Sequence, residues 1–380
     1  MIAALTRVAA ITRKEFIHLR RDPRILIAVL IIPITQLLLF AYAISFDVKN
    51  VPTVVLDQDK TAASRQYLQT FTSSDFFDVR GQITELAGVD RAFDRDQARI
   101  AVVVPAGFAR SLAAGDKAPV AVLVDGSEPN SAQLGQAYAV ALNQQYGQQV
   151  LADWADRQGL DLTQMGRLEP RVRTWYNPER RSSDFLIPGL MVVIIMIVTV
   201  QQTAVTLVRE RDQGTEEQMM VSPLHQGELM VGKLLPWTFL AFADMVAIAA
   251  VGMLVFRVPL RGSVPFLVVS SVVFVFAALG LGLIISSLAP SLESANITAL
   301  MVSFLPAFIL SGFAFPLESI PTFLQWVSYA FPGRYMMIIS RGVFLKGAGF
   351  AELWGQLAQL MVYSVAVIVI ASVLHGRRAR

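Results

Sequence analysis

The sequence predicts an α-helical polytopic membrane protein with about six transmembrane helices and an α/β extracytoplasmic domain inserted between the first and second spans. Three observations carry this expectation. Of the 380 residues, 54% are hydrophobic and only 16% are charged, against about a quarter charged in an ordinary soluble chain. The apolar residues fall in long unbroken blocks, so block length decides the class more than chain length does. One polar stretch, 47–183, interrupts the blocks and alternates short β-rich runs with helical ones.

Residues 1–23 form the first element. Arg7, Arg13, Lys14, His18, Arg20 and Arg21 are interleaved with Leu5, Val8, Phe16 and Leu19 at near-helical spacing. A basic amphipathic helix lying in the cytoplasmic headgroup region accounts for that pattern. A cleaved signal peptide fits less well: the basic region is long, the apolar run after it is full length, and no small-residue cleavage site follows Phe46. Asp22-Pro23 breaks the helix, because proline disfavours helical geometry at the residue before it. Residues 24–46 are then almost wholly apolar and long enough to cross about 30 Å of hydrocarbon. Arg7, Arg13, Lys14, Arg20, Arg21 and Arg24 precede this first span and only Lys49 closely follows it. Positive-inside bias therefore places the N-terminus in the cytoplasm.

The polar stretch 47–183 carries strand signals at 52–56, 100–104 and 120–124. Helical stretches lie at 61–72, 85–97 and 130–158, the last marked by Leu134, Tyr138, Leu142, Tyr146, Val150 and Trp154 at every fourth position. Without cysteine, a packed core rather than disulfide bridges must hold this domain together. Five further apolar runs follow at 185–208, 231–256, 264–288, 294–315 and 355–375, within 184–380. Six spans return the C-terminus to the cytoplasm. Arg377, Arg378 and Arg380 fit that side, as do Arg209, Arg211 and Lys233. Arg257, Arg261, Arg334, Arg341 and Lys346 fall in the opposite connections, so the bias is modest. The connection 316–354, with Pro316, Pro321, Pro332 and Gly333 among apolar residues, is too broken to span and too apolar for a free loop. One or two short interfacial or re-entrant helices facing outward are expected there.

The absence of cysteine excludes thiolate metal sites and cysteine nucleophiles. Three scattered histidines do not suggest a metal centre, and the distribution of the basic residues points to membrane orientation rather than nucleic acid. Gly227-Glu-Leu-Met-Val-Gly232-Lys233-Leu234 has the glycine and lysine spacing of a phosphate loop, but Leu234 replaces the magnesium-binding hydroxyl and no strand precedes it. It reads as a helix leading into the membrane, with Lys233 snorkelling.

The segment 209–230 is the most informative polar connection. Gly214 can end one helix, and Thr215 with Gln218 makes a capping box for the next. That helix is acidic at Glu216 and Glu217, apolar at Met219, Met220 and Val221, and stopped by Pro223. It fits either a plain surface turn or a docking knob whose methionines form an adaptable apolar contact. Asp244 sits in mid-span, where a charge is costly, and reads either as a functional group or as an interhelical hydrogen-bonding group. Gln201, Gln202 and Asn296 suit packing between helices, and Ala277, Ala278, Gly280 and Gly282 suit a close helix contact. No catalytic set emerges.

Four stretches carry a resemblance. They are Lys14-Glu15-Phe16 with Leu19-Arg-Arg-Asp-Pro-Arg24; Val208 to Thr215 continuing through Glu217–Pro223 to Gly232-Lys233; Leu310-Ser-Gly-Phe-Ala-Phe-Pro316 with Ile320-Pro321; and Pro332-Gly333-Arg334-Tyr335 ahead of Arg341-Gly342. In this order, around six spans, the chain resembles the type-2 ABC-transporter permeases, in the drug-efflux-like branch with a large extracytoplasmic domain.

The resemblance implies a permease subunit of an ATP-driven exporter that moves a hydrophobic or amphipathic substrate, drug-like or lipid-like. It implies no cofactor on this chain, with ATP and magnesium on a separate cytoplasmic ABC ATPase. It implies a second permease, identical or paralogous, a periplasmic adaptor in some systems, and residence in a bacterial cytoplasmic (inner) membrane. Arg209, Glu210, Arg211, Gly214, Thr215, Glu216, Glu217, Met219, Met220 and Pro223 would then belong to the ATPase-coupling segment. Lys14, Glu15, Arg20, Arg21 and Asp22 would belong to an interface helix beside it. Asp244 is the intramembrane polar candidate. A permease-like secretion-accessory or receptor protein that binds no ATPase is the alternative.

Overall fold

The computed structural model describes residues 2–21, 23–43, 50–127, 129–157, 175–179, 181–212 and 226–378. The chain divides into two compact units, Phe46–Val172 and the combination of Met1–Ser45 with Arg173–Arg380. Helix α1 (Ile2–Arg21) stops where the sequence expects, immediately before Asp22-Pro23, and α2 (Pro23–Ala43) follows.

The Phe46–Val172 unit contains β1 (Val51–Asp57), α3 (Ala62–Thr72), β2 (Phe77–Gln82), α4 (Ala87–Asp94), β3 (Ile100–Val104), α5 (Phe108–Ala114), β4 (Ala121–Val124) and α6 (Pro129–Arg157). Its sheet runs β2-β1-β3-β4, with β1 parallel to both neighbours and β4 antiparallel to β3. The central strands are Val- and Ile-rich and buried almost throughout, as strands covered on both faces must be. Tyr67, Phe71, Phe77, Phe108 and Tyr146 close the larger of its two cores.

At the end of β1, Asp59 accepts backbone N–H bonds from Gly107 at 2.7 Å and Ala109 at 3.0 Å. Asp59 thereby takes backbone N–H groups at the start of α5. Hydrogen bonding, led by the Thr61 hydroxyl, holds the Asp59 carboxyl below the usual carboxylate range. Strand β2 and helix α5 were not expected from the sequence.

The other unit holds, besides α1 and α2, the long helices α7 (Ser182–Asp212), α8 (Gln226–Leu254), α9 (Val264–Leu288), α10 (Leu292–Ile309) and α13 (Phe350–Arg378), with the short α11 (Thr322–Ser328) and α12 (Pro332–Arg341) between α10 and α13. Among the described residues, five segments are long and apolar enough to cross a membrane: Ser182–Thr206, Val231–Leu254, Val264–Leu288, Leu292–Ile309 and Phe350–Leu374. Among the described residues, the apolar segment found in α2 is Val29–Ala43, shorter than these five.

Helix α7 is the axis of this unit. Its span is 83% buried, against 22% for that of α10. The helices meet through small residues, as the sequence suggests. A Cβ on Gly282 would lie 2.6 Å from Thr203 Cβ and 2.8 Å from the Val200 carbonyl, and one on Gly280 would lie 2.8 Å from Val367. These are positions where α9 touches α7 and α13 almost backbone to backbone.

One run differs from expectation. The apolar stretch 294–315 is helical only to Ile309, after which the chain turns through Gly312 at φ +84°. The helix, Leu292–Ile309, has 18 residues and is about 27 Å long, a minimal span. The connection 316–354 does form two short helices, α11 and α12, with a 3-10 turn at Leu317–Ser319 and a π turn at Gly342–Lys346.

Candidate functional site

Helix α1 is fastened to the first turns of α8. Arg7 donates to both carboxylate oxygens of Glu228, through Nε at 2.8 Å and Nη2 at 2.6 Å. Thr12 Oγ1 donates to the Gly232 carbonyl at 3.2 Å. A Cβ on Gly232 would come within 2.8 Å of Ile11 and 3.2 Å of the Val8 carbonyl, so glycine is what lets the helices approach this closely. Further along, Phe16 packs edge-on against Phe239 with ring centroids 5.7 Å apart. The glycine-and-lysine spacing at 227–233 is therefore helix-packing chemistry within α8. Lys233 is buried there, where the sequence suggests a snorkelling side chain.

Among the expected interface residues, Glu15 is buried and lies 3.2 Å from Lys14 Nζ, while Lys14, Arg20 and Arg21 are exposed. Asp22 lies outside the described residues. Of the expected coupling residues, Arg209, Glu210 and Arg211 form the last turn of α7. Arg209 is exposed, and Arg211 donates to the carbonyls of Ala289 at 3.0 Å and Pro290 at 3.3 Å. A cation thus serves carbonyls just beyond the C-terminal end of α9. Gly214, Thr215, Glu216, Glu217, Met219, Met220 and Pro223 lie outside the described residues. Their segment, 213–225, connects the end of α7 directly to the clamped start of α8.

Asp244 projects from α8 into the helical core and is 1% exposed. Neither carboxylate oxygen has a hydrogen-bond partner among the described residues, and the same holds for the neighbouring Thr199 Oγ1. With Gln202, Thr203 and the apolar Val29, Trp237 and Leu240, they line a small cavity of about 10 Å³, room for about one water molecule. Trp237 and Leu240 also pack with Leu19 of α1 and Val29 of α2. A continuous train of contacts therefore runs from α1 to the Asp244 cavity. Gln201 Nε2 donates to Asn296 Oδ1 at 2.6 Å and ties α7 to α10, the packing role its sequence position suggests.

Arg334 and Arg341, which the sequence shows as charges of an outward connection and as part of the 332–342 motif, both bind backbone carbonyls. Arg341 donates to the carbonyls of Gly312 at 2.8 Å and Phe313 at 3.4 Å, and its guanidinium lies 3.8 Å from the centre of the Phe185 ring. Ser340 Oγ donates to the Pro188 carbonyl at 2.8 Å. Arg334 donates to the Gln325 carbonyl and Ser328 Oγ and stacks on Tyr329. The two Pro/Gly-containing motifs, 310–316 and 332–342, are thus one joint. The turn at Gly312 exposes carbonyls and α12 supplies the cation that takes them. The signal available in the sequence was an arginine placed beside non-helical apolar chain, where backbone groups need donors.

Residues 23–373 match the family described as ABC-2 family transporter protein. The chain belongs to the ABC-2 transporter family. It is 31% identical over 349 residues to the probable multidrug ABC transporter permease YbhS of Escherichia coli, covering 91% of this chain and 90% of that protein. It is 29% identical over 373 residues to the probable multidrug ABC transporter permease YbhR of the same organism, covering 98% of this chain and 99% of that protein. ABC transporter G family member 20 of Dictyostelium discoideum is 21% identical over 377 residues, which are 97% of this chain and 50% of that protein. This ABC-2 family member is accordingly a multi-pass membrane protein and a transporter permease. Its matched region begins with α2, contains the Asp244 cavity and the Arg341 joint, and leaves all of α1 before it.

Proposed function

We propose that this ABC-2 family permease is the membrane-spanning subunit of an ATP-driven exporter for hydrophobic or amphipathic compounds, drug-like or lipid-like, in a bacterial inner membrane. One observation carries the reading: similarity to multidrug ABC transporter permeases runs from end to end of the chain. In this reading α2 is the first of six spans, both termini face the cytoplasm, and the α/β unit stands outside. The joint of α11 and α12 lies on that outer side. A separate cytoplasmic ABC ATPase supplies ATP and magnesium, and a second permease, identical or paralogous, completes the path.

The polar segment 209–230 is the coupling element. Glu216 and Glu217 favour the N-terminus of its short helix through the helix dipole, and Met219, Met220 and Val221 offer the apolar contact. The clamp of α1 on α8 supports this reading, because it holds the basic helix beside the point where the coupling segment enters α8. Movement of α8 driven from the ATPase would then act on the Asp244 cavity through Leu240 and Trp237.

ATP-dependent uptake of a lipophilic dye by everted vesicles tests the function. Vesicles holding the chain with its ATPase are expected to accumulate dye with ATP and not with a non-hydrolysable analogue. Accumulation driven by a proton gradient alone would contradict the reading.

A further inference from the structure

We propose that the cavity beside the C-terminal end of α6, in the Phe46–Val172 unit, is a binding site for a lipophilic monocation. The cavity measures about 510 Å³, within the range of small-molecule sites. It arises from the four-residue stripe of α6. Tyr138 stacks on Phe76 at 4.1 Å, and Tyr146 packs on Tyr67 at 5.2 Å, which closes the core against the sheet. The stripe then continues through Val150 to Trp154, which is 37% exposed. Helix α5 ends on the other side at Gly115, whose φ of +74° turns the chain away. A Cβ on Gly115 would sit 3.6 Å from Trp154 Nε1, so the indole lies along this turn just before Asp116.

Tyr67, Phe108, Tyr146 and Trp154 give the cavity four aromatic rings. Tyr67 donates its hydroxyl to Asn143 Oδ1 at 2.5 Å, and burial raises the pKa of both Tyr67 and Tyr146, so their phenols stay neutral. Among the described lining residues Asp116 is the one formally charged side chain, and none is basic. Aromatic faces attract cations, a carboxylate at the opening adds to that attraction, and both disfavour anions. An apolar ligand body with a single delocalised positive charge matches this lining. The inference concerns binding in the outer unit and stands apart from transport, since it is read without ATPase, ATP or flux.

The experiment uses the full chain in detergent and two probes of the same shape and opposite charge, tetraphenylphosphonium and tetraphenylborate. Saturable binding of tetraphenylphosphonium is expected, with a change in tryptophan fluorescence that disappears in Trp154→Phe. Trp154→Ala is expected to weaken binding about tenfold. Asp116→Asn, an exposed change that leaves the core intact, is expected to weaken it about fivefold at low salt and less at high salt. Tetraphenylborate is expected to bind at least tenfold more weakly. Equal binding of the two probes would overturn the proposal. So would unchanged tetraphenylphosphonium affinity in both Asp116→Asn and Trp154→Ala, when each melts as the native chain does.

Discussion

Asp244 is buried in the helical core with two carboxylate oxygens that no described residue serves. A polar group left in that state costs about 1–3 kcal/mol of stability, so its place is better explained by activity than by folding. Valine is about one methylene larger, similar in shape, and makes no such demand. Asp244→Val is therefore expected to melt at least about 2 °C higher, while ATP-dependent dye uptake falls at least tenfold. Thermal melts of the purified chain and vesicle uptake check the pair. A lower melting temperature would show that Asp244 is held by a stabilising partner. The sequence marks Asp244 plainly, because a mid-span carboxylate stands out against apolar neighbours. It hides Arg341, whose importance depends on a turn at Gly312 that the unbroken apolar run 294–315 conceals. Arg7 and Glu228 are likewise invisible as a pair, being far apart in the chain and joined only when α1 folds along α8.

The long helices were legible because burial in lipid demands about 20 apolar residues in a row, and proline or polar residues mark most of their ends. The central strands β1 and β3 were legible for a similar reason, being continuous branched-aliphatic runs. Strand β2 was not, since Phe77-Asp-Val-Arg-Gly-Gln is mostly polar and half-exposed at the edge of the sheet, where alternation is not enforced. Helix α5 is only seven residues long, below the length at which a 3.6-residue period shows. The glycines of α9 were legible as a contact face but not as to partner. The structure assigns Gly282 to α7 and Gly280 to α13. Because the Gly282 Cβ position meets the Val200 carbonyl, which cannot rotate away, Gly282→Val is expected to destabilise the helical unit by about 1–3 kcal/mol or more. Fluorescence-detected size exclusion after a temperature ramp checks this, and a melt equal to the native one would contradict the close approach of α9 and α7.

At the scale of the whole molecule, the proposed orientation, in which the Phe46–Val172 unit leaves the cytoplasm, rests on the basic residues that precede the first span. Reporters fused after Asp125 are expected to read as external, and reporters at Gly214 and after Arg380 as cytoplasmic; a cytoplasmic signal at Asp125 would reverse the arrangement. In the proposed function, energy enters through the segment between α7 and α8. Truncating a well-buried anchor typically costs about 2 kcal/mol, roughly a thirtyfold loss of affinity. The most direct measurement is affinity purification of the tagged chain from native membranes, with the co-eluting ATPase quantified for the native sequence and for Met219→Ala with Met220→Ala. The native chain is expected to bring down an ATP-hydrolysing subunit and the double variant to lose it, at unchanged membrane abundance and with dye uptake abolished. A double variant that keeps both its ATPase and full uptake would contradict it.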